Sequence, residues 1–368
     1  MLFPRVASLL SLDPVIPDGK SGFRWNKDYP EHDRNGFRNK SVPDTVSIVA
    51  LGDSQTYGVG VSRDQAWPQR LAMLSNVPTY NMGIPGWGPT QSLAVLGQAM
   101  AFKPKLIIEA FYAGNDLFDS YQAVYKTKEL PDLKTSDERV GKALSDAENM
   151  DPFDKKISRE TETPPARTAL RDFLAEHSKL YGLLRVVRIV VNEQTKHELD
   201  WASIKQGTTG KPYYQIFDNG TLRTILTPNY RLVALDLNDS RIREGQRISL
   251  EAMRLMQRQA QAANAEFIVL LIPTKELVFK EVLYENVVDP PKTYQTLIAN
   301  EEFMWQRTKD FLTDHGILFI DALPALRQRL RSGTQPYAMS SDGHPNAIGH
   351  QAIAEYLRTE IKEHDLLR

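Results

Sequence analysis

The chain reads as an α/β protein: a three-layer α/β/α sandwich around a mostly parallel five-stranded sheet, with one large insertion. Three observations predict this. Short apolar runs recur along the chain, and turns and helical periodicity follow most of them, as βα units require. Two runs, 105–111 and 266–272, are apolar almost throughout, as expected of strands buried on both faces. The alternation stops over residues 119–247 and then resumes, so the extra chain interrupts one sheet and does not begin a second.

The elements follow in order. Residues 46–51 form the first strand candidate and end directly at Gly52-Asp53-Ser54. A turn with Gly58 and Gly60 follows. Trp67, Leu71 and Leu74, at i, i+4 and i+7, then mark a helix with Asp64 as its expected N-cap. Residues 79–82 make a short strand, a Gly/Pro turn follows, and residues 90–101 make a helix. Residues 105–111 are the third strand. After the interruption, Leu250, Met253, Met256 and Ala260 mark a helix, and residues 266–272 the fourth strand. Leu297, Met304 and Phe311 mark another helix. Residues 317–320 are the fifth strand, and Ile348, Ala352, Tyr356 and Ile361 line a closing helix.

Within the interruption, residues 126–165 are rich in Lys, Asp, Glu and Pro and read as an irregular surface stretch. Residues 168–192 carry a helical pattern. Residues 213–217 and 222–226 flank Asp218-Asn219-Gly220, a hairpin signal in which Asn-Gly favours a type I′ turn. Residues 230–235 read as a further strand. A compact domain seldom spends this much chain on a loop. The expected organisation is therefore an N-terminal extension packed on the core (1–44), a core of 45–118 and 248–368, and an inserted cap of helix plus hairpin (119–247). The insertion leaves the core next to Asn115, which points to substrate choice as its role.

Composition bounds the chemistry. A chain of 368 residues with 41% hydrophobic and 25% charged residues is globular in character. Its net charge of −1 gives no electrostatic footprint for nucleic acid or a polybasic membrane patch. It contains no cysteine, which excludes disulfides, thiolate metal sites and a cysteine nucleophile. No run of 18 apolar residues is present, so no transmembrane segment is expected. The first ten residues are too short and too broken for a signal peptide. The compartment stays open, with an extracytoplasmic location favoured if an N-terminal targeting segment or anchor is missing.

Four short blocks carry the chemistry. Gly52-Asp53-Ser54 stands at a strand-to-turn corner. Alone it is a common turn tripeptide, and Thr56 stands where a Gly-x-Ser-x-Gly elbow needs glycine. A serine hydroxyl is a weak nucleophile until a base takes its proton. Of the seven histidines, His344 differs from the rest: it follows Asp342 and precedes Pro345 and a helix start. A carboxylate that accepts from one imidazole nitrogen fixes the tautomer and leaves the other nitrogen free as a base. Gly86 and Gly114-Asn115-Asp116 complete the set. Ser54, Gly86 and Asn115 each follow a strand, and His344 lies beyond the fifth, so all four come to the strand ends where parallel sheets bind ligands.

This ordered set resembles the SGNH (GDSL) hydrolase family, over roughly residues 45–118 and 248–360. The resemblance implies a flavodoxin-like SGNH core and a Ser54–His344–Asp342 triad. It implies three oxyanion donors: the Ser54 backbone N–H, the Gly86 N–H and the Asn115 side-chain amide. Gly83 is a rival for the place of Gly86. The commonest family pattern sets the acid three residues before the histidine, where this chain has Ser341. Asp342, two before, is similar to the Asp-x-His spacing of the alginate O-acetylation proteins.

The resulting expectation is a serine esterase that hydrolyses small acyl esters, above all O-acetyl groups on a carbohydrate, with no metal and no cofactor. Its partner would be an acylated small molecule or glycan. The alternatives are an O-acyltransferase acting on a glycan, and a non-catalytic carbohydrate-binding protein with a relic site. Lys275, leaving the fourth strand on the active-site edge, is a weak candidate for an anionic substrate group, against the plainer reading of a solvated loop lysine. Residues 33–38 read as a strap over the core with no evident link to chemistry. Asn219-Gly220-Thr221 matches a glycosylation sequon that a hairpin turn explains as well.

Overall fold

The computed structural model describes residues 15–18, 22–127, 130–147, 200–211, 213–287 and 289–368. Its centre is a five-stranded sheet, parallel throughout. Strands are numbered along the chain: β1 (Val15–Asp18) and β2 (Gly22–Trp25) form a small antiparallel pair. The sheet is built from β3 (Ile48–Leu51), β4 (Thr79–Asn81), β5 (Leu106–Tyr112), β8 (Glu266–Ile272) and β9 (Leu318–Asp321), in the order β4-β3-β5-β8-β9. β6 (Gln215–Asp218) and β7 (Arg223–Leu226) form a separate hairpin.

The order second-first-third-fourth-fifth is flavodoxin-like, and its switch point lies where β4 and β5 flank β3. β5 and β8 are the middle of the sheet, and apart from the leading Glu266 every residue of both is buried. Helices cover both faces, as the crossovers of a parallel sheet demand. Trp67–Ser75 packs on Ala347–Glu363, with Leu323–Arg331 beside it. Pro89–Met100, Asp116–Gln122 and Ser240–Ala262 pack together on the other side, and Lys292–Asp314 joins them. Among the described residues no helix is long and apolar enough to cross a membrane.

Four local readings need correction. Asp64 lies in a short 3₁₀ turn (Arg63–Gln65) and does not cap the next helix. That helix starts at Trp67, whose N–H donates to the buried His350 Nδ1 at 3.2 Å. Residues 228–234 form a helix, not a strand; Pro228 opens it, because its fixed φ suits a first turn. Within the stretch that reads as irregular, Glu138–Ala147 is helical. Leu144 is buried and Val140, four residues earlier, packs beside it on the core. The hairpin turn is not type I′, which needs positive φ at both central residues. Only Gly220 has it (88°), and the Asn219 side chain accepts from the N–H groups of Thr221 and Leu222 instead. The helix read over 168–192 lies outside the described residues.

The segment before β3 is tied to the core through polar contacts. Asp33 accepts from the Tyr80 hydroxyl at 2.7 Å. Asn39 and Asn81 exchange two bonds, at 2.9 and 3.0 Å. The guanidinium of Arg38 donates to the carbonyls of Tyr57, Gly58 and Val61, and it pairs with Glu31.

Candidate active site

Ser54 is the third residue after β3, with Gly52 and Asp53 between. Gly52 makes that corner possible. Its φ is 136°, and a Cβ there would stand 2.6 Å from Thr56 Oγ1 and 2.9 Å from the Ala110 carbonyl. Asp53 then caps the short helix Ser54–Tyr57 by accepting from Gln55 N–H at 2.8 Å, which turns the Ser54 side chain off the end of the strand.

The second part of the candidate site is a loop, 335–346, between the helix Leu323–Arg331 and the helix Ala347–Glu363. His344 Nε2 lies 2.9 Å from Ser54 Oγ, and His344 Nδ1 lies 2.6 Å from Asp342 Oδ1. A carboxylate only accepts, so the Nδ1 proton goes to Asp342 and Nε2 is left as an acceptor; the one proton of the Ser54 hydroxyl faces two acceptors, Nε2 at 2.9 Å and Asp53 Oδ2 at 3.2 Å. Asp342 Oδ1 also accepts from the His344 N–H at 3.0 Å. Burial works against the charge on Asp342, but these bonds and the nearby Lys275 hold its pKa below the ordinary carboxylate value. At the far end of the loop, Asn346 caps the closing helix by accepting from Ile348 and Gly349.

The expected oxyanion donors stand as follows. Gly83 is spent: its N–H donates to Asn81 Oδ1 at 2.9 Å. Gly86 is exposed, and neither its N–H nor that of Ser54 meets an acceptor among the described residues. Its loop is held against the Ser54 corner by Ile84 N–H donating to the Gly52 carbonyl at 2.9 Å. Asn115 Nδ2 is engaged twice, with Asp119 Oδ2 at 2.6 Å and Asp116 Oδ1 at 3.2 Å.

Beneath Ser54 lies a group of buried acids. Asp53, Glu109 and Asp116 are fully buried. Burial raises the pKa of Glu109 to about 8 and that of Asp119 to about 7, and it raises Asp53 and Asp116 as well. The four carboxyls also oppose one another's ionisation. Among the described residues no group of three or more His, Asp or Glu is arranged to hold a metal ion.

Beneath His344 the charges are positive. Lys275 is neither a substrate contact nor a solvated loop lysine. It is wholly buried, and its Nζ donates to the carbonyls of Ile225, Ser340 and Asp342 at 2.7, 3.0 and 2.8 Å. An ammonium has three protons, so none is left for a ligand. Arg231 presses on Gly343 from below: a Cβ at Gly343 would stand 2.2 Å from its Nη2. Residues 335–346 are thus held by the hairpin β6–β7 and the helix Pro228–Ala234 as well as by Lys275. Thr224 Oγ1 donates to the Ala338 carbonyl at 3.0 Å, and Arg223 N–H to Gln335 Oε1 at 2.8 Å.

Asp119, Arg231 and Arg38 are the residues that reading the sequence misses. Asp119 has a usable signal, since it stands in the first turn of the helix that Asn115 opens. The other two meet the site only through the fold.

No family model matches the chain, and no curated protein matches it. Among solved structures it is similar to a lipolytic protein of the G-D-S-L family from Desulfitobacterium hafniense DCB-2, at 12% identity over 85% of this chain and 97% of that one, with a TM-score of 0.36. It is similar to a catalytic mutant of an acetylxylan esterase from Geobacillus stearothermophilus, at 12% identity over 87% and 95%, with a TM-score of 0.40. An extracellular lipase from Streptomyces rimosus shares 14% identity over 86% and 99%, with a TM-score of 0.40. Likeness at this level says nothing of this chain's chemistry.

Proposed function

We propose that this protein is a serine esterase of the SGNH type. The reading rests above all on one observation: the unbroken line Ser54 Oγ–His344–Asp342, at 2.9 and 2.6 Å. Ser54 Oγ attacks the acyl carbonyl carbon, and its proton passes to His344 Nε2. Asp342 stabilises the imidazolium that forms. The N–H groups of Ser54 and Gly86 and the Asn115 amide receive the developing oxyanion. Nε2 then delivers its proton to the leaving alcohol, and water, activated by the same nitrogen, cleaves the acyl-enzyme.

The substrate class we favour is an O-acetylated carbohydrate. Its support is the Asp-x-His spacing shared with the alginate O-acetylation proteins, which also leaves transfer to a sugar hydroxyl as the neighbouring chemistry.

The test has two parts. Hydrolysis of an aryl acetate by the wild type should fall about 10⁴-fold in Ser54→Ala, with an unchanged circular dichroism spectrum. A variant of near-normal turnover would sink the serine mechanism. Acetate release from a panel of acetylated glycans, with and without acceptor sugars, separates esterase from transferase: acceptor-dependent loss of free acetate, with acetylated acceptor formed, would reassign the protein to transfer.

A further inference from the structure

A buried lysine that ends on three main-chain carbonyls is uncommon. Charged groups seldom leave water unless their partners are fixed. Lys275 sits at the start of the turn after β8, and two of its three acceptors, Ser340 and Asp342, belong to the loop that carries His344. The third, Ile225, belongs to β7 of the hairpin. The turn itself is anchored deeply. Thr274 donates through its N–H and its hydroxyl to the buried Glu301, and Glu276 accepts from Thr227. One rigid turn thus grips the histidine loop by its backbone, at the residue whose side chain orients the imidazole.

We propose that Lys275 is a positioning residue that sets the working geometry of Asp342 and His344 and does so only while it is protonated. This rests on the esterase reading for its effect on rate. An ammonium offers three donors to three carbonyls. A neutral amine offers two donors and a lone pair, so one carbonyl would face a lone pair. The groups that face the ammonium are Glu276 on its own turn, Arg231 from the helix Pro228–Ala234 and Asp342 from the loop. Burial lowers the Lys275 pKa to about 8; Arg231 pushes the same way, while Glu276 and Asp342 oppose it. The three carbonyls favour the charged form, so release of the loop begins at about pH 8 or above. The sign is clear: geometry is intact below that pH and lost as pH rises through it. The result is an alkaline fall in rate with no general acid behind it.

The experiment follows the His344 Nδ1–H proton by NMR in protein labelled with ¹⁵N-histidine, together with the pH–rate profile on an aryl acetate. In the wild type, the hydrogen-bonded Nδ1–H resonance should be sharp at pH 7 and broaden as pH passes about 8, in step with the rate. In Lys275→Met the resonance should be weak at every pH. Its kcat should be about tenfold lower or more at pH 7.5, with KM within about twofold, and without an alkaline fall. A wild-type resonance unchanged from pH 7 to 10 would overturn the proposal, as would a Lys275→Met protein that keeps the wild-type resonance. The wild-type titration needs no variant to fold. The resonance is read whether or not esters are hydrolysed, so a protein with the expected resonance behaviour and no turnover would count against the esterase and for Lys275.

Discussion

Ser54 and His344 meet at 2.9 Å, yet their loops are fastened by different cations. The nucleophile loop is gripped by Arg38, which reaches the carbonyls of Tyr57, Gly58 and Val61. The histidine loop is gripped by Lys275, which reaches Ser340 and Asp342. The two clamps are alike in design: a buried cation ending on main-chain oxygens. They differ in chemistry, since a guanidinium has no proton to lose in the working range and an ammonium has. They also sit over opposite fields. Ser54 stands above buried acids, and His344 above Lys275 and Arg231. One half of the site is therefore insensitive to alkaline pH in its clamp, and the other is not.

The sharpest probe of the histidine half is Asp342→Asn. It keeps the shape but removes the negative charge and puts an amide N–H where one oxygen stood, which favours the wrong imidazole tautomer and leaves the imidazolium without a counter-charge, so aryl acetate turnover should fall about 10²-fold or more. Ser341→Ala should change it less than about threefold. The reverse pair of outcomes would move the acid to the other position and dissolve the comparison.

Arg38→Met tests the nucleophile clamp. Three carbonyls lose their donor and Glu31 its partner, so unfolding stability should drop by about 2 kcal/mol, with a loss of about tenfold in kcat. The loss should be the same from pH 6.5 to 9.5. A loss that grows or shrinks with pH would mean that the two clamps do not differ as described.

The smallest effect on rate is expected from the acids. The folded-state pKa of Glu109 is raised to about 8, so the folded chain keeps a proton that the unfolded chain releases near its ordinary value. The stability this carboxyl contributes is complete below its unfolded pKa and is lost as pH rises through about 8. Glu109→Gln lacks that loss. Its melting temperature relative to the wild type should therefore rise between pH 5 and pH 8, by the equivalent of about 1 kcal/mol or more. A constant difference across that range would show that Glu109 is ionised in both states.

The same contrast explains how far the sequence could be read. The strands and the nucleophile corner are legible because their causes are local. β3, Gly52 and the Asp53 cap all lie within seven residues of Ser54, and the apolar runs of β5 and β8 announce double-sided burial. His344 is legible through its neighbours in the chain. Its clamp is not, because Lys275, Arg231, Thr224 and Arg223 meet the loop only when the sheet has brought them there. Lys275 reads as solvated for the same reason: nothing in the chain around a lysine after a strand announces the carbonyls that the fold brings to it. Residues 230–235, apolar but for Arg231, fit strand and helix alike, and Pro228 decides for the helix.

The insertion between β5 and β8 has a consequence for the chain as it is made. Translation adds residues at about 5–20 per second, and structure forms as they emerge. β3, β4 and β5 leave the ribosome together and can pair early. β5 must then wait, with its β8 edge unpaired and both faces apolar but for Glu109, until the chain up to β8 has followed it. Leu106–Tyr112 is thus a long open edge in a nascent chain, the kind that invites pairing with a neighbouring polypeptide. Glu109, placed in the middle of that strand, puts a charge on one of its faces before folding and is fully buried in the finished sheet, where Ser92 of the helix Pro89–Met100 and Asp53 are its neighbours. A residue that costs stability in the finished protein is well placed to keep the half-made one apart from its copies.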